Sequence, residues 1–504
     1  MKPTSIILLI GLLLAPAVTF AAPSWEQHGG LQVSGDGHRL QHADGTPFLW
    51  IGDTAWGMFQ QLTREQVDLY LDNRRALGFT VIQSVAHWSP HGGGLPRSPD
   101  NAANAYGHRP FAGSEQIPDT SAPLVVTGGS PESPNDYWDH ADYVVEAVRK
   151  RGMVLALLPC WGAQFNRGTK RYTADQARSF GDFLGRRYKD VPNIVWVLGG
   201  DTKALLAEGS MTPEQLNALD YNSSQLKFDL RPIYRAMAEG IVHGVTGASP
   251  AWNQVHPAWD KVLLTYHPDG DAHANSSSWF HQDAWLDANG VEVWKEVQEV
   301  YGVMLKDYQL TNPVKPSLFL EGSYEYGTYR HECGWVTPVM VRRQFYHTFF
   351  AGGAGHTYGA GPIWAMRGNG GDYNCGYTWQ QALDFPGAEQ VAIIGQDFLR
   401  KHDWSSWVPD PRVIGDAGEN ESLKVAVTTK SGDMALVYFS NNSPTKVNNL
   451  LSQSAQASWF YPREGLVEKV EGFAPGESRE MTPPTKWEDA ILVLKTAGPV
   501  ARVH

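Results

Sequence analysis

The chain has 504 residues, too many for one small domain and right for two or three. Its 53 acidic against 41 basic side chains give a formal net charge of −12, which disfavours a phosphate backbone, so no nucleic acid is expected as a partner. Charged residues at 19% and hydrophobic residues at 42% exclude a disordered chain, and 19 Trp beside 19 Phe is a large stock of flat apolar plates, suited to a core and also to large pockets and sugar faces.

The first residues read as a signal, not as fold. One charge at Lys2 precedes the apolar run Ile6 to Leu14, then Pro16 and small residues up to an expected cut after Ala21. The run is shorter than the roughly 20 apolar residues a span needs, and no later stretch qualifies, so no membrane span is expected. Residues 1–21 are therefore a cleavable signal and the protein is expected to be exported, periplasmic or secreted. Residues 30–47 suggest a hairpin.

From Phe48 onward, short apolar runs alternate with helical patterns. The runs are FLWIGD from Phe48, TVIQSVAHW from Thr80, MVLALLPCW from Met153, NIVWVLGGD from Asn193, KVLLTYHP from Lys261, AWLDANG from Ala284, PSLFLEGSYE from Pro316 and AGHTYGAG from Ala354. Several are continuously apolar, as parallel strands covered on both sides should be. Between them, Thr63 and Thr173 each begin a Thr-x-x-Gln capping box, Asn135 is a candidate cap, and further helices are expected near 231–242, 294–310, 337–351 and 387–402. The segment 267–283 is too broken for a good helix. Repeated strand–helix alternation predicts an α/β fold, a (β/α)8 TIM barrel over 22–404. From 405 to 504 the helical spacing stops, and LKVAVTTK, DMALVYFS, ASWFYPREG and AILVLKT predict a small all-β sandwich.

The cysteines are Cys160, Cys333 and Cys375, without metal-ligand spacing, so no metal site is expected. Cys160 ends an apolar strand and should be buried. Cys333 and Cys375 fall in loops after neighbouring strands seven and eight, and in an exported protein should form a disulfide.

In a barrel of this kind the C-terminal strand ends build the active site. There the sequence offers Asp53, His87 and Trp88, Trp161, Asp201, His267, Asp287, Glu321 and Glu325, His356 and Tyr358. Asp201 and Glu321 each follow directly on an apolar strand, four and seven, across the mouth from each other. Hydrolysis of a glycosidic bond needs such a pair, one proton donor and one nucleophile or base. Trp88, Trp161 and Tyr358 are expected as an apolar wall, with Asp53, His87 and His267 bonding sugar hydroxyls. There is no Gly-x-Ser-x-Gly elbow, no phosphate or dinucleotide loop, and His331-Glu332 lacks the second histidine of a zinc helix.

The segments LQVSGDGHRLQHADGTPFLWIGDTAW, TYHPDG, SSSWFHQDAWLDANG, KPSLFLEGSYEYG and RRQFYHTFFAGGAGHTYG resemble the apiosidase-like (β/α)8 family, glycoside hydrolase family 140. The tail, with WFYPREG and WEDAILVL, resembles the collagen-binding-type β-sandwich appended there. The resemblance implies retaining hydrolysis of a β-linked sugar of plant cell-wall polysaccharide, as in pectin side chains, with an oligosaccharide or polysaccharide as partner and no cofactor. It places the acid/base on Asp201 and the nucleophile on Glu321. A catalytically inactive carbohydrate-binding or collagen-binding protein is the alternative.

Overall fold

The computed structural model describes residues 23–88, 101–115, 117–162, 173–206, 228–270, 275–294, 299–327, 333–366 and 375–496. The expected signal segment lies outside the described residues. Leu31–Val33 and Leu40–His42 pair antiparallel as the expected hairpin.

The barrel strands are β1 (Trp50–Thr54), β2 (Val81–His87), β3 (Val154–Cys160), β4 (Ile194–Gly199), β5 (Leu264–His267), β6 (Asn289–Val293), β7 (Ser317–Gly322) and β8 (Gly355–Tyr358). They are parallel and hydrogen-bonded in the order β5-β4-β3-β2-β1-β8-β7-β6. The two end strands approach through a single bridge, Thr265 to Ala288, so the barrel is nearly closed. Both strand faces are buried. Val81, Val85, Val154, Ala156, Leu158, Val195 and Val197 fill the interior, while Ile82, Leu155, Leu157 and Trp196 pack under the helices. This two-sided burial is why the runs read as continuously apolar.

The surrounding helices are α1 (Arg64–Leu77), α2 (Tyr137–Lys150), α3 (Ala174–Tyr188), α4 (Arg231–Thr246), α5 (Val300–Tyr308) and α6 (Pro338–Phe350). The capping boxes at Thr63 and Thr173 both form. The cap of α2 is Asp136, not Asn135: the Asp136 carboxylate accepts from the Asp139 N–H, and a negative group at a helix N-terminus also meets the helix dipole. After β5 comes only the short turn Ser277–Phe280.

The sixth strand departs from expectation. It begins at Asn289, beyond most of the AWLDANG run, so Asp287 precedes the strand instead of ending it. Asp287 belongs to the β5/β6 seam: its carboxylate accepts from Leu264 N–H at 2.7 Å, and its own N–H donates to Leu264 O at 2.9 Å. The side chain supplies an acceptor that a regular ladder would take from the backbone. Burial pushes this carboxyl up to about 7.

The C-terminal domain holds β9 (Trp407–Pro409), β10 (Lys424–Thr429), β11 (Met434–Phe439), β12 (Ala455–Tyr461), β13 (Leu466–Phe473) and β14 (Ala490–Thr496). They form an antiparallel sheet in the order β9-β10-β11-β14-β12-β13, and a second sheet pairs Thr445–Asn448 with Ser478–Met481. Ala426, Val437 and Leu492 pack with Val447 and Met481 inside the domain, while Val425, Leu436, Tyr438 and Ile491 join the core of the barrel's helices. Arg342 of α6, buried in that junction, donates to both oxygens of Asp489, at 3.0 and 2.7 Å.

Candidate active site

Two local devices bring acidic side chains into the barrel mouth. The first is the turn after β4. Gly199, Gly200 and Asp201 have φ of +90°, +113° and +43°. A Cβ on Gly199 would stand 2.2 Å from His267 O, and one on Gly200 would stand 2.6 Å from the Trp161 ring. Only glycine fits both positions, and the left-handed Asp201 that follows is a strained conformation of the kind found at functional sites. The second device is a bulge in β7. Val291 of β6 pairs with Phe319, but Glu292 pairs with Glu321, so Leu320 is an extra residue. Leu318 faces the interior and Phe319 the helix side. The extra residue resets the alternation, and Glu321 turns inward opposite Glu292.

One side-chain atom from each of Asp201, His267, Glu292 and Glu321 lies within 4.8 Å of the others. His267 Nε2 stands 3.0 Å from Glu321 Oε2, and Nδ1 stands 3.4 Å from Glu292 Oε2. The other oxygen of Glu321 accepts from the Tyr324 hydroxyl and faces the Trp56 indole N–H at 3.4 Å. The same indole N–H lies 2.9 Å from the Tyr324 oxygen. Trp56, Trp161 and His267 pack ring to ring, with Trp56 and Trp161 centroids 4.8 Å apart.

Burial and then the charge of Glu321 push the Asp201 carboxyl up to about 8, so it carries its proton at neutral pH. Burial and the neighbouring acids Asp201 and Glu321 also raise Glu292 well above the usual carboxylate range. For His267 burial favours the neutral ring, but the hydrogen bond and charge of Glu321 outweigh it and raise the imidazole. The cluster's spacing would admit a cation, but its chemistry does not fit one. Glu321 is already occupied by Tyr324, Trp56 and His267, and an imidazole held toward its charged form repels a metal.

Of the residues expected here from the sequence, Asp201, Glu321, His267 and Trp161 come together, and Trp88 stands nearby on the interior side, edge-on to Trp364 at 5.6 Å. Asp53 and Tyr358 do not join them. The Asp53 carboxylate turns to the helix side, taking Arg74 Nε at 2.6 Å and the Tyr70 hydroxyl at 2.7 Å. Tyr358 donates to Glu325 at 2.6 Å, and Glu325 also accepts from Gly387 N–H at 3.0 Å. His87 packs against Phe111, and burial pushes its imidazole down to about 3, leaving it neutral. His356 stacks on Phe319. Cys333 and Cys375 are joined, with Cα atoms 5.5 Å apart. Residues 328–332 and 367–374 beside them, His331 among them, lie outside the described residues. Sequence reasoning missed Trp56, Glu292, Tyr324 and Trp364. The Val-Glu-Val alternation of β6 and the aromatic residues just past β1 and β7 were the available signals.

Among solved structures, one described as "Glycoside hydrolase" is 24% identical with a TM-score of 0.76, covering 95% of this chain and 99% of its own. A glycoside hydrolase family 5 protein from Bacteroides vulgatus is 24% identical with a TM-score of 0.74, covering 95% of each chain. At these identities both speak for the fold. No curated protein sequence matches the chain significantly. Residues 408–495 match the family described as "Putative collagen-binding domain of a collagenase". Residues 34–406, which include every member of the acidic cluster, match "Apiosidase-like, catalytic domain", and the chain accordingly belongs to the apiosidase-like glycoside hydrolases.

Proposed function

We propose that this glycoside hydrolase is exported and releases a β-linked sugar, apiose or a close relative, from plant cell-wall polysaccharide such as pectin side chains. The proposed mechanism is a retaining double displacement. Asp201 protonates the departing oxygen while Glu321 attacks the anomeric carbon and forms a glycosyl ester. Water, deprotonated by Asp201, then cleaves that ester and frees Glu321. The observation that carries this reading is the close pair of carboxyls at the ends of strands four and seven, one oxygen of Asp201 and one of Glu321 lying within 4.8 Å, which supplies the proton donor and the nucleophile that a double displacement needs.

Electrostatics supports the division of roles. The half-buried Asp201 holds a proton, as a general acid must, whereas Glu321 is surrounded by the donors Tyr324, Trp56 and His267. The paired Trp56 and Trp161 rings beside His267 give the apolar face and hydrogen-bonding edge that a sugar ring requires. The family supports the sugar and linkage, and the apolar run at the N-terminus supports export.

The test is to incubate the protein with a panel of plant cell-wall polysaccharides, identify the released monosaccharide, and follow the first product by NMR. Release of a β-linked sugar that first appears as the β-anomer is expected. An α-anomer as first product overturns the double displacement, and activity confined to α-linked substrates overturns the substrate class.

A further inference from the structure

Glu292 has no role in a two-carboxyl scheme, yet it occupies the centre of the site. It is fully buried at the end of β6, opposite Glu321 in register. One of its oxygens stands 3.4 Å from His267 Nδ1, and its carboxyl meets that of Asp201 in a side-chain hydrogen bond. The ionisable groups that face it are Asp201 from the turn after β4, His267 and Asp269 from β5 and its exit, and Glu321 from β7. The backbone closes over it as well: a Cβ on Gly270 would stand 2.7 Å from Glu292 Oε1 and inside the Trp294 ring. A carboxylate left here would be buried beside other acids with one imidazole to share, an arrangement that disfavours its charge.

Resting on the reading that Asp201 and Glu321 carry the chemistry, we propose that Glu292 is a positioning residue: a neutral carboxyl whose O–H is donated to Asp201 and whose other oxygen receives His267 Nδ1. The hydrogen bond between the Glu292 and Asp201 carboxyls needs a proton, because two carboxylates have no donor to share. With one oxygen of Asp201 so engaged, its own proton sits on the other, toward the leaving group. On the other side, Nδ1 of His267 is shared between Glu292 at 3.4 Å and Pro268 O at 3.0 Å, which leaves Nε2 aimed at Glu321. Charge then balances through the cycle. At rest, Glu321 faces the raised imidazole of His267. In the glycosyl ester, Glu321 is neutral and Asp201 is ionised, and the Glu292 O–H steadies the new charge. The strongly raised affinity of Glu292 for its proton agrees with this assignment.

The experiment compares Glu292→Gln with Glu292→Leu. Glutamine is neutral, keeps a donor and an acceptor, and nearly keeps the shape; leucine keeps only volume. Glu292→Gln should lower kcat about threefold to tenfold and leave the alkaline limb of the pH profile in place, whereas Glu292→Leu should lower kcat about 10- to 100-fold at little change in KM, the scale of a lost hydrogen bond to a charged group. A merely structural glutamate would not separate kcat from KM in this way. An alkaline limb displaced downward by about one pH unit or more in Glu292→Gln means that a negative charge was removed beside Asp201, and overturns the proposal. So does a Glu292→Leu protein with unaltered kcat. Infrared difference spectra of the substrate-free protein give a readout that needs no turnover. In the wild-type-minus-Glu292→Gln difference at neutral pH, one protonated-carboxyl carbonyl component should be lost while that of Asp201 remains, and a difference spectrum without such a component overturns the assignment. Failure of Asp201→Ala and Glu321→Gln to impair hydrolysis would instead remove the parent reading and leave the infrared result standing.

Discussion

Two buried acidic clusters lie at strand ends of this barrel, and they are balanced in opposite ways. Beside β1, Asp53 is fully buried but answered: Arg74 of α1 meets it at 2.6 Å and the Tyr70 hydroxyl at 2.7 Å. Charge and counter-charge come from two elements that must pack together, and the pair locks strand to helix. In the barrel interior, Asp201, Glu292 and Glu321 share a single imidazole, so three acids face one base. No such set can be fully ionised away from water, and protons must remain on some of its members. The first arrangement holds the fold. The second spends stability to keep an acid protonated near neutral pH, which is what protonation of a leaving group requires. A carboxyl at a barrel mouth is thus better judged by how its charge is met than by its position on a strand.

The sharpest way to break the comparison is to exchange the clusters' responses to mutation. Glu321→Gln should lower kcat/KM by about ten-thousandfold or more, while relieving charge crowding and leaving the thermal midpoint equal or higher. A residual rate within tenfold of wild type removes Glu321 from the chemistry. Asp201→Ala should cost about a hundredfold to ten-thousandfold on natural substrates and much less on glycosides with good aryl leaving groups, which need no proton. The wild-type kcat/KM should fall as pH rises through about 8, where Asp201 loses the proton it must donate, and this limb should vanish in Asp201→Ala. The opposite cluster should respond in stability. Asp53→Ala strands a buried guanidinium, so unfolding free energy should drop by about 3–5 kcal/mol. Under conditions where the protein is still folded, kcat should be close to wild type. A large loss of kcat without loss of stability would return Asp53 to the sugar site.

Much of this was legible in the sequence, for reasons that also explain the failures. Strands buried on both faces read as unbroken apolar runs, so most of the barrel strands could be placed. The same two-sided burial hides which way a side chain points, and Asp53 and Tyr358 were assigned to the mouth although they face the helices. Asp201 and Glu321 stood out because each ends an apolar run. How they turn inward did not: the bulge at Leu320 is a matter of pairing with β6, which no local pattern reports. Glu292 was missed because Val-Glu-Val is the alternation of a strand with one wet face, whereas here the polar side meets a dry pocket. The sixth strand was set too early because AWLDANG supplies apolar residues that in fact line the seam.

That seam allows the smallest and most specific test of how a buried acid is met. Asp287 resembles Asp201 in being half-buried and pushed up, to about 7, but it has a fixed backbone donor, Leu264 N–H, and Lys315 nearby. Asp287→Asn keeps an oxygen for that N–H. Well below pH 4 the carboxyl is protonated in both folded and unfolded wild type, so the gap between the two proteins should there be smallest. Between the unfolded value near 4 and the folded value near 7, the wild type binds more protons folded than unfolded, and its stability falls as pH rises. Asparagine has no such dependence. The variant should therefore gain on the wild type across this window and be ahead by about 1–3 kcal/mol at pH 8, less than the about 4 kcal/mol to which three pKa units convert, because Asp287 is only half-buried and solvent screens it. Denaturant unfolding of both proteins at pH 4 and pH 8 measures the gap. A gap that does not change with pH would mean that Asp287 is ionised throughout, already met by Leu264 and Lys315 as fully as Asp53 is met by Arg74.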